Sequence, residues 1–325
     1  MKGSYTKTST IRRCLRKAKY AYIDELQKVR RAEAIIKGSL LHSCLDAYYK
    51  GKDWTLEVHK FIDQSWGKMF DEERAQYGDI PGETIRIMQG YIRAYQPLDA
   101  NTKTIASELQ LIVPTPAGNE LEVRIDQIVE DEAGLWVRDH KSCKTIPEEN
   151  IRHTDIQTML YGWAARQSGY EVMGTMLNYI RTKAPAVPAL LKGGGISRAL
   201  IDTDWHTYYK AVKNAGQDPA DYEEMQEKLK GKVFFKRSRL PLNRHTVKNL
   251  ISDFDTTLSL WEYMSNKHHF PRTLTRDCTW DCEYAPICFA ELQGTNPETI
   301  IEEQYQKRGV KNNDEEYLQT EIDLG

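Results

Sequence analysis

Apolar residues recur at helical spacing over the first hundred positions and then, near residue 105, give way to strand-like runs. Before the switch, residues 9–32, 36–50, 54–70 and 82–95 read as helices. In the second of these Gly38, Leu41, His42, Leu45 and Tyr49 lie near one another at three- and four-residue spacing. Pro81 and Pro97 bracket the fourth as its start and stop. Residues 105–113, 120–130 and 135–142 are then rich in β-branched and aliphatic side chains. Their short Pro-Thr-Pro-Ala-Gly-Asn and Asp-Glu-Ala-Gly connections predict an antiparallel meander. A helix over 151–168 and a strand over 172–181 follow. A helix between the third and fourth strands permits parallel pairing, which makes the core an αβββαβ unit of the α/β class. Beyond residue 185 come loop material, helices near 204–215 and 219–230, and a long helix over 243–266.

Composition narrows the setting. A chain of 325 residues with 40% hydrophobic and 28% charged residues has ample core for independent folding. No apolar run approaches bilayer length and the N-terminal stretch has no apolar segment of a secretory kind, so a cytoplasmic protein without membrane contact is expected. Net charge is only −2, which leaves any nucleic-acid contact to local patches. Two such patches stand out. Lys2, Lys7, Arg12, Arg13, Arg16, Lys17 and Lys19 precede the first acid, and the stretch from Lys228 to Lys248 interleaves basic residues with Phe234, Phe235 and His245. Each reads equally as a solvated surface. Gly193-Gly194-Gly195 lacks the Lys-Ser/Thr of a phosphate-binding loop, so no ATP use is expected. Past Asn296 acids predominate, which predicts a mobile tail or a segment that meets a protein partner.

Two constellations carry chemistry. Asp139 and Lys141 are two apart in one strand and share a face; Asp126 ends the adjoining strand. Apolar neighbours Ile125, Ile128, Val129, Trp136 and Val137 imply partial burial, and carboxylates withdrawn from water need a counter-charge. A divalent cation with hard oxygen ligands is one solution; ion pairs with Lys141, Arg124 or Arg138 are another. His42, on a preceding helix, could join the same metal. The second constellation is Cys278, Cys282 and Cys288, three thiols within eleven residues. Without a signal for secretion the six cysteines point to thiols or metal ligands rather than disulfides, and the clustering of these three favours metal. His268, His269 or Cys14 could complete four ligands, and spacing alone leaves zinc and a four-iron, four-sulfur cluster both open.

Gly38-Ser-Leu-Leu-His42, Asp126, Asp139-His-Lys141 and Gln157-Thr-Met-Leu-Tyr161, in that order, resemble the successive motifs of the PD-(D/E)XK nuclease superfamily. The likeness is to its RecB-like exonuclease branch, with CRISPR-associated spacer-acquisition nucleases and viral exonucleases. It covers roughly residues 10–290. It implies a restriction-endonuclease-like fold in which His42, Asp126, Asp139 and the His140 carbonyl hold Mg²⁺ or Mn²⁺. Lys141 would orient and help deprotonate the attacking water, Gln157 and Tyr161 would line the site, and Glu108 is a further candidate. It also implies a 4Fe-4S cluster on Cys14, Cys278, Cys282 and Cys288, with zinc as the alternative. Three positions depart from the pattern: Val123 stands where Gly is frequent, Leu15 follows the first cysteine in place of Pro, and three residues separate Cys278 from Cys282 where two are common.

The expected organisation is an N-terminal helical segment over 1–100 carrying the first cluster cysteine, a nuclease core with a helical insertion over 101–270, a cysteine clasp over 271–295 and an acidic tail over 296–325. The expected activity is metal-dependent exonucleolytic hydrolysis of DNA with a free end, in recombination, repair or end processing. A DNA-binding or scaffolding protein that keeps the fold without the chemistry is the alternative, and a zinc-bound interaction module on an unrelated enzyme is a third reading.

Overall fold

In the computed structural model, which describes residues 1–30, 32–149 and 155–308, the meander supplies three strands of a central six-stranded sheet. Strands β3 (Lys103–Pro114), β4 (Glu120–Asp131) and β5 (Gly134–Cys143) are joined by turns at Gly118 and Gly134, both at positive φ, where a residue without Cβ pays least. Helix α7 (Ile156–Gln167) crosses over to β6 (Val172–Arg181), which pairs parallel with β5; β7 (Phe235–Pro241) pairs antiparallel with β6. The parallel crossover matches the αβββαβ expectation, and the fold is α/β of the restriction-endonuclease-like kind. The predicted start of α7 at residues 151–154 lies outside the described residues; Asp155 caps the helix by accepting from the Thr158 amide.

Burial along the strands follows their place in the sheet. In β4, Leu121, Val123 and Ile125 are buried in alternation, whereas Trp136 to His140 of β5 are buried without a break, as a strand covered on both faces requires. One cover comprises α1 (Tyr5–Arg13), α7 and α10 (Arg244–Asn266), packed on Leu121, Val123, Ile125 and Val137. A second apolar layer is built by α3 (Glu33–Tyr49), α4 (Thr55–Gln64) and α6 (Ile80–Tyr95), and it takes in Ile180 of β6. Val123, the departure from the family pattern, is thus a core residue, 2% exposed.

The ends of the chain differ from expectation. The single helix predicted over 9–32 is two, α1 and α2 (Leu15–Tyr22), broken at Cys14, whose backbone is extended, and the second ends at Tyr22, Leu26–Lys28 being a strand. Strand β1 (Lys2–Ser4) runs parallel to Glu120–Glu122 of β4. The first part of the acidic segment is folded: α12 (Glu298–Gln304) leads into β8 (Tyr305–Lys307), which pairs with β2 (Leu26–Lys28) and buries Tyr305. The remainder of the tail, and with it the proposed partner contact, lies outside the described residues. Of the second basic stretch, Phe234 is 2% exposed and Phe235 packs on the helical core, so those aromatics are spent on packing. Among the described residues no helix is long and apolar enough to cross a membrane.

Candidate active site

The edges of β4 explain where the acids meet. β3 follows one edge from Glu120 to Glu130. The other edge is shared, β5 taking residues 127–131 and β1 taking residues 120–122, so that, among the described residues, 123–126 have no strand partner there. Asp126 sits in that opening, one residue past the last β4–β5 pair, Gln127 with Arg138. The His140 amide donates to its Oδ2 at 2.7 Å in place of a ladder bond, and His42 Nδ1 of α3 stands 3.8 Å from the same oxygen.

Asp139, 4% exposed, pairs with Lys141 at 2.9 Å. Lys141 Nζ also donates to Gln157 Oε1 at 2.6 Å and lies 3.5 Å from Asp155. Gln157 Nε2 in turn donates to the Tyr161 hydroxyl at 2.7 Å, one helical turn on. The predicted residues of α3, β4, β5 and α7 are therefore in one neighbourhood. Glu108 accepts from Arg124 and adopts a left-handed backbone, φ 49°, a costly conformation for a non-glycine residue. It stands between Ser107 and Leu109, which pair with Gln127 and Ile125, so its place on β3 is opposite Asp126.

The electrostatics of this pocket are unbalanced. Burial drives the Asp126 carboxyl well above the ordinary range, and the charge of Asp139 adds to it. Burial also raises Asp139, against the pull of Lys141. Burial disfavours the Lys141 ammonium, but Asp139 and Asp155 outweigh it and hold the lysine protonated. Two withdrawn carboxylates thus share one ammonium. Among the described residues no three His, Cys, Asp or Glu side chains are grouped so as to hold a metal ion in this arrangement; what fits a hard cation is the donor set itself, the buried Asp139 and the half-buried Asp126, short of positive charge.

Sequence reasoning missed a layer behind these residues. His140 Nδ1 meets Asn178 Nδ2 at 2.6 Å, and Arg237 reaches Asn178, Tyr49, Tyr91 and Asp99. The one signal was Asn178, the single amide in a mostly apolar strand, and Arg237 lay in the basic stretch read as either a nucleic-acid contact or a solvated surface. Asp155 lay inside the helix predicted over 151–168 and carried no signal of its own.

The clasp gathers its residues around a cavity of about 140 Å³ lined by Cys14, Cys278, Cys282 and Cys288 together with Arg13, Arg16, Lys17 and Arg272. His268 and His269 are not among the lining residues. Cys14 and Cys278 sulfurs accept from the Thr273 and Thr275 amides, each at 3.5 Å. Burial raises the Cys282 thiol, so a cation binding there would have to displace its proton. Arg13 pairs with Asp281, and Arg16, Tyr20 and Arg272 converge on Glu291, which fixes the two ends of the chain to each other. The remaining thiols are elsewhere: Cys44 is in the helical core and Cys143 faces the Ile180 carbonyl.

No curated protein matches the chain. Among solved structures, that of SSO0001 is 12% identical, covering 89% of this chain and 86% of that one with a TM-score of 0.33. One described as a candidate exonuclease from Eubacterium rectale is 12% identical, covering 76% and 87% with a TM-score of 0.40. Residues 2–289 match the PD-(D/E)XK nuclease superfamily, a span that holds both acids, Lys141 and all four clasp cysteines. The chain belongs to the PD-(D/E)XK nuclease superfamily.

Proposed function

We infer that the chain is a divalent-metal-dependent DNA exonuclease of the RecB-like branch, hydrolysing phosphodiester bonds at DNA ends in recombination, repair or end processing. The observation that carries this reading is the meeting of Asp126 and Asp139 where β4 and β5 part, with Lys141 held between Asp139 and Gln157. Mg²⁺ or Mn²⁺ would be held by His42, Asp126, Asp139 and the His140 carbonyl. When bound, the ion supplies charge neutralisation at phosphoryl oxygens and a lowered pKa for its water.

The protein's own groups do the rest. Hydrolysis builds negative charge on the phosphoryl oxygens, and Lys141, kept protonated by its acids, offers a fixed ammonium beside it. An ammonium cannot take a proton, so its part is to orient the attacking water and stabilise charge rather than to act as base. Gln157 accepts from Nζ and Tyr161 accepts from Gln157, which limits the directions Nζ can take. The His140 amide fixes one oxygen of Asp126. The clasp we read as a structural 4Fe-4S centre on Cys14, Cys278, Cys282 and Cys288, the alternative being zinc. Four thiols with a cationic rim suit a negatively charged centre of either kind.

The test is digestion of end-labelled linear single-stranded DNA, duplex DNA and RNA in Mg²⁺, Mn²⁺ or EDTA. The expected result is metal-dependent loss of DNA from its ends. Binding without degradation in every metal would overturn the reading and favour a silent DNA-binding protein.

A further inference from the structure

We propose that Asn178 and Arg237 are positioning residues that set the orientation and tautomer of His140 and, through its backbone amide, the placement of Asp126. The inference rests on the metal-site reading above and extends it to residues with no place in it.

The sheet register lays the members in one row. His140 of β5 is beside Asn178 of β6, and Asn178 is beside Arg237 of β7. Arg237 can only donate. Its Nε lies 3.1 Å from Asn178 Oδ1, so that atom must be the amide oxygen. The amide nitrogen then faces His140 Nδ1 at 2.6 Å and the Tyr91 hydroxyl at 2.8 Å. His140 Nδ1 must accept, which places the ring proton on Nε2. Nε2 has no hydrogen-bond partner among the described residues, so the amide of Asn178 is the ring's polar anchor there. Tyr49 supports it by stacking, its ring 5.8 Å from the imidazole and inclined by 19°.

Arg237 is itself over-determined. It donates twice to Asp99 and once each to Tyr49 and Tyr91, and its guanidinium lies 3.8 Å from the Tyr95 ring centre. Asp99 thereby ties the segment after α6 to β7. His140 is 6% exposed and Asn178 is fully buried, so no water competes for these bonds. Because the His140 side chain is held, its amide is held, and that amide grips Asp126 at 2.7 Å. The row Arg237, Asn178, His140, Asp126 carries order from the far strand of the sheet to the acid in the opening.

Two variants and three readouts test this. Asn178→Asp keeps the acceptor toward Arg237 but presents a second acceptor to His140, and Asn178→Ala removes both contacts. In ¹⁵N-histidine NMR, with His140 assigned by its loss in His140→Gln, the wild type shows the Nε2–H form, and Asn178→Asp moves the proton to Nδ1. Mn²⁺ binding by calorimetry weakens about 10–100-fold in Asn178→Ala. On DNA, kcat falls by about the same factor with KM within about twofold. An unchanged His140 spectrum in Asn178→Asp overturns the proposal, as does unaltered Mn²⁺ affinity in a folded Asn178→Ala. If the wild type degrades no DNA while the spectrum and the Mn²⁺ affinities shift as stated, the nuclease reading fails and the positioning role stands.

Discussion

The His140 amide donates to the Asp126 carboxylate at 2.7 Å, so the strand that carries Asp139 and Lys141 grips the acid of its neighbour through the backbone. The β4–β5 ladder ends at the pair of Gln127 with Arg138, one residue from Asp126 and two from His140. The opening in the sheet and the gathering of the acids are one feature: a carboxylate replaces the carbonyl that continued pairing would have supplied.

Lys141→Met tests the ammonium. Its loss leaves Asp139, 4% exposed, without its closest counter-charge. Metal-dependent cleavage falls by about 10²–10³-fold, and breaking a largely buried pair lowers stability by about 3 kcal/mol. Initial rates and urea melts measure the two effects. Undiminished cleavage would remove Lys141 from the site.

Stability against pH tests the acids without any reaction. Burial first, and then Asp139, raise the Asp126 pKa above its value in the unfolded chain. Between those two values the folded state binds more protons than the unfolded one, so stability is fullest below the ordinary carboxylate range and falls as pH climbs through the raised pKa. In EDTA the wild type therefore loses more Tm than Asp126→Asn between pH 4 and neutrality, on the order of the ordinary carboxylate pKa upward. Parallel curves would contradict the burial of an ionised pair. The variant gains stability at neutral pH and loses activity, an exchange expected of a site built for charge.

Cys14→Ser tests the clasp. Bridging Cys14 to the cysteines from Cys278 onward closes almost the whole chain, and opening such a loop costs on the order of 5 kcal/mol. The wild type purified anaerobically is expected to contain iron and to absorb near 400 nm, on the order of iron–sulfur charge transfer. The variant loses that absorbance and melts earlier. A colourless wild type with zinc selects the alternative, and six free thiols without metal would refute a metal clasp.

Gly174→Ala tests the route by which β7 reaches the site. A Cβ there would stand 2.2 Å from the Leu240 carbonyl oxygen and 2.8 Å from Pro241 Cα, both backbone atoms that cannot rotate away. Destabilisation of about 3 kcal/mol is expected from such overpacking, measured by urea denaturation. A neutral substitution would mean that β6 and β7 are not paired this closely.

The meander was legible because its turns and β-branched runs are local signals, and the pairing of Asp139 with Lys141 follows from strand periodicity alone. Helix α3 and the spacing of Gln157 and Tyr161 were legible for the same reason. The break at Cys14 was not, because the surrounding residues favour helix and the extended turn is imposed by contacts with residues more than 250 positions away, among them Thr273. The bonds of Asn178 to Tyr91 and of Arg237 to Asp99 and Tyr91 likewise exist only once β6 and β7 bring distant segments together. Local pattern names the acids and is silent on what holds them.

The most direct test sets wild type beside Asp139→Asn, at saturating Mn²⁺ on end-labelled linear DNA, with Mn²⁺ affinity and melting recorded on the same preparations. The expected outcome is digestion by the wild type and a loss of about 10³-fold or more in a folded variant with weakened Mn²⁺ binding. Equal digestion by both proteins would contradict it.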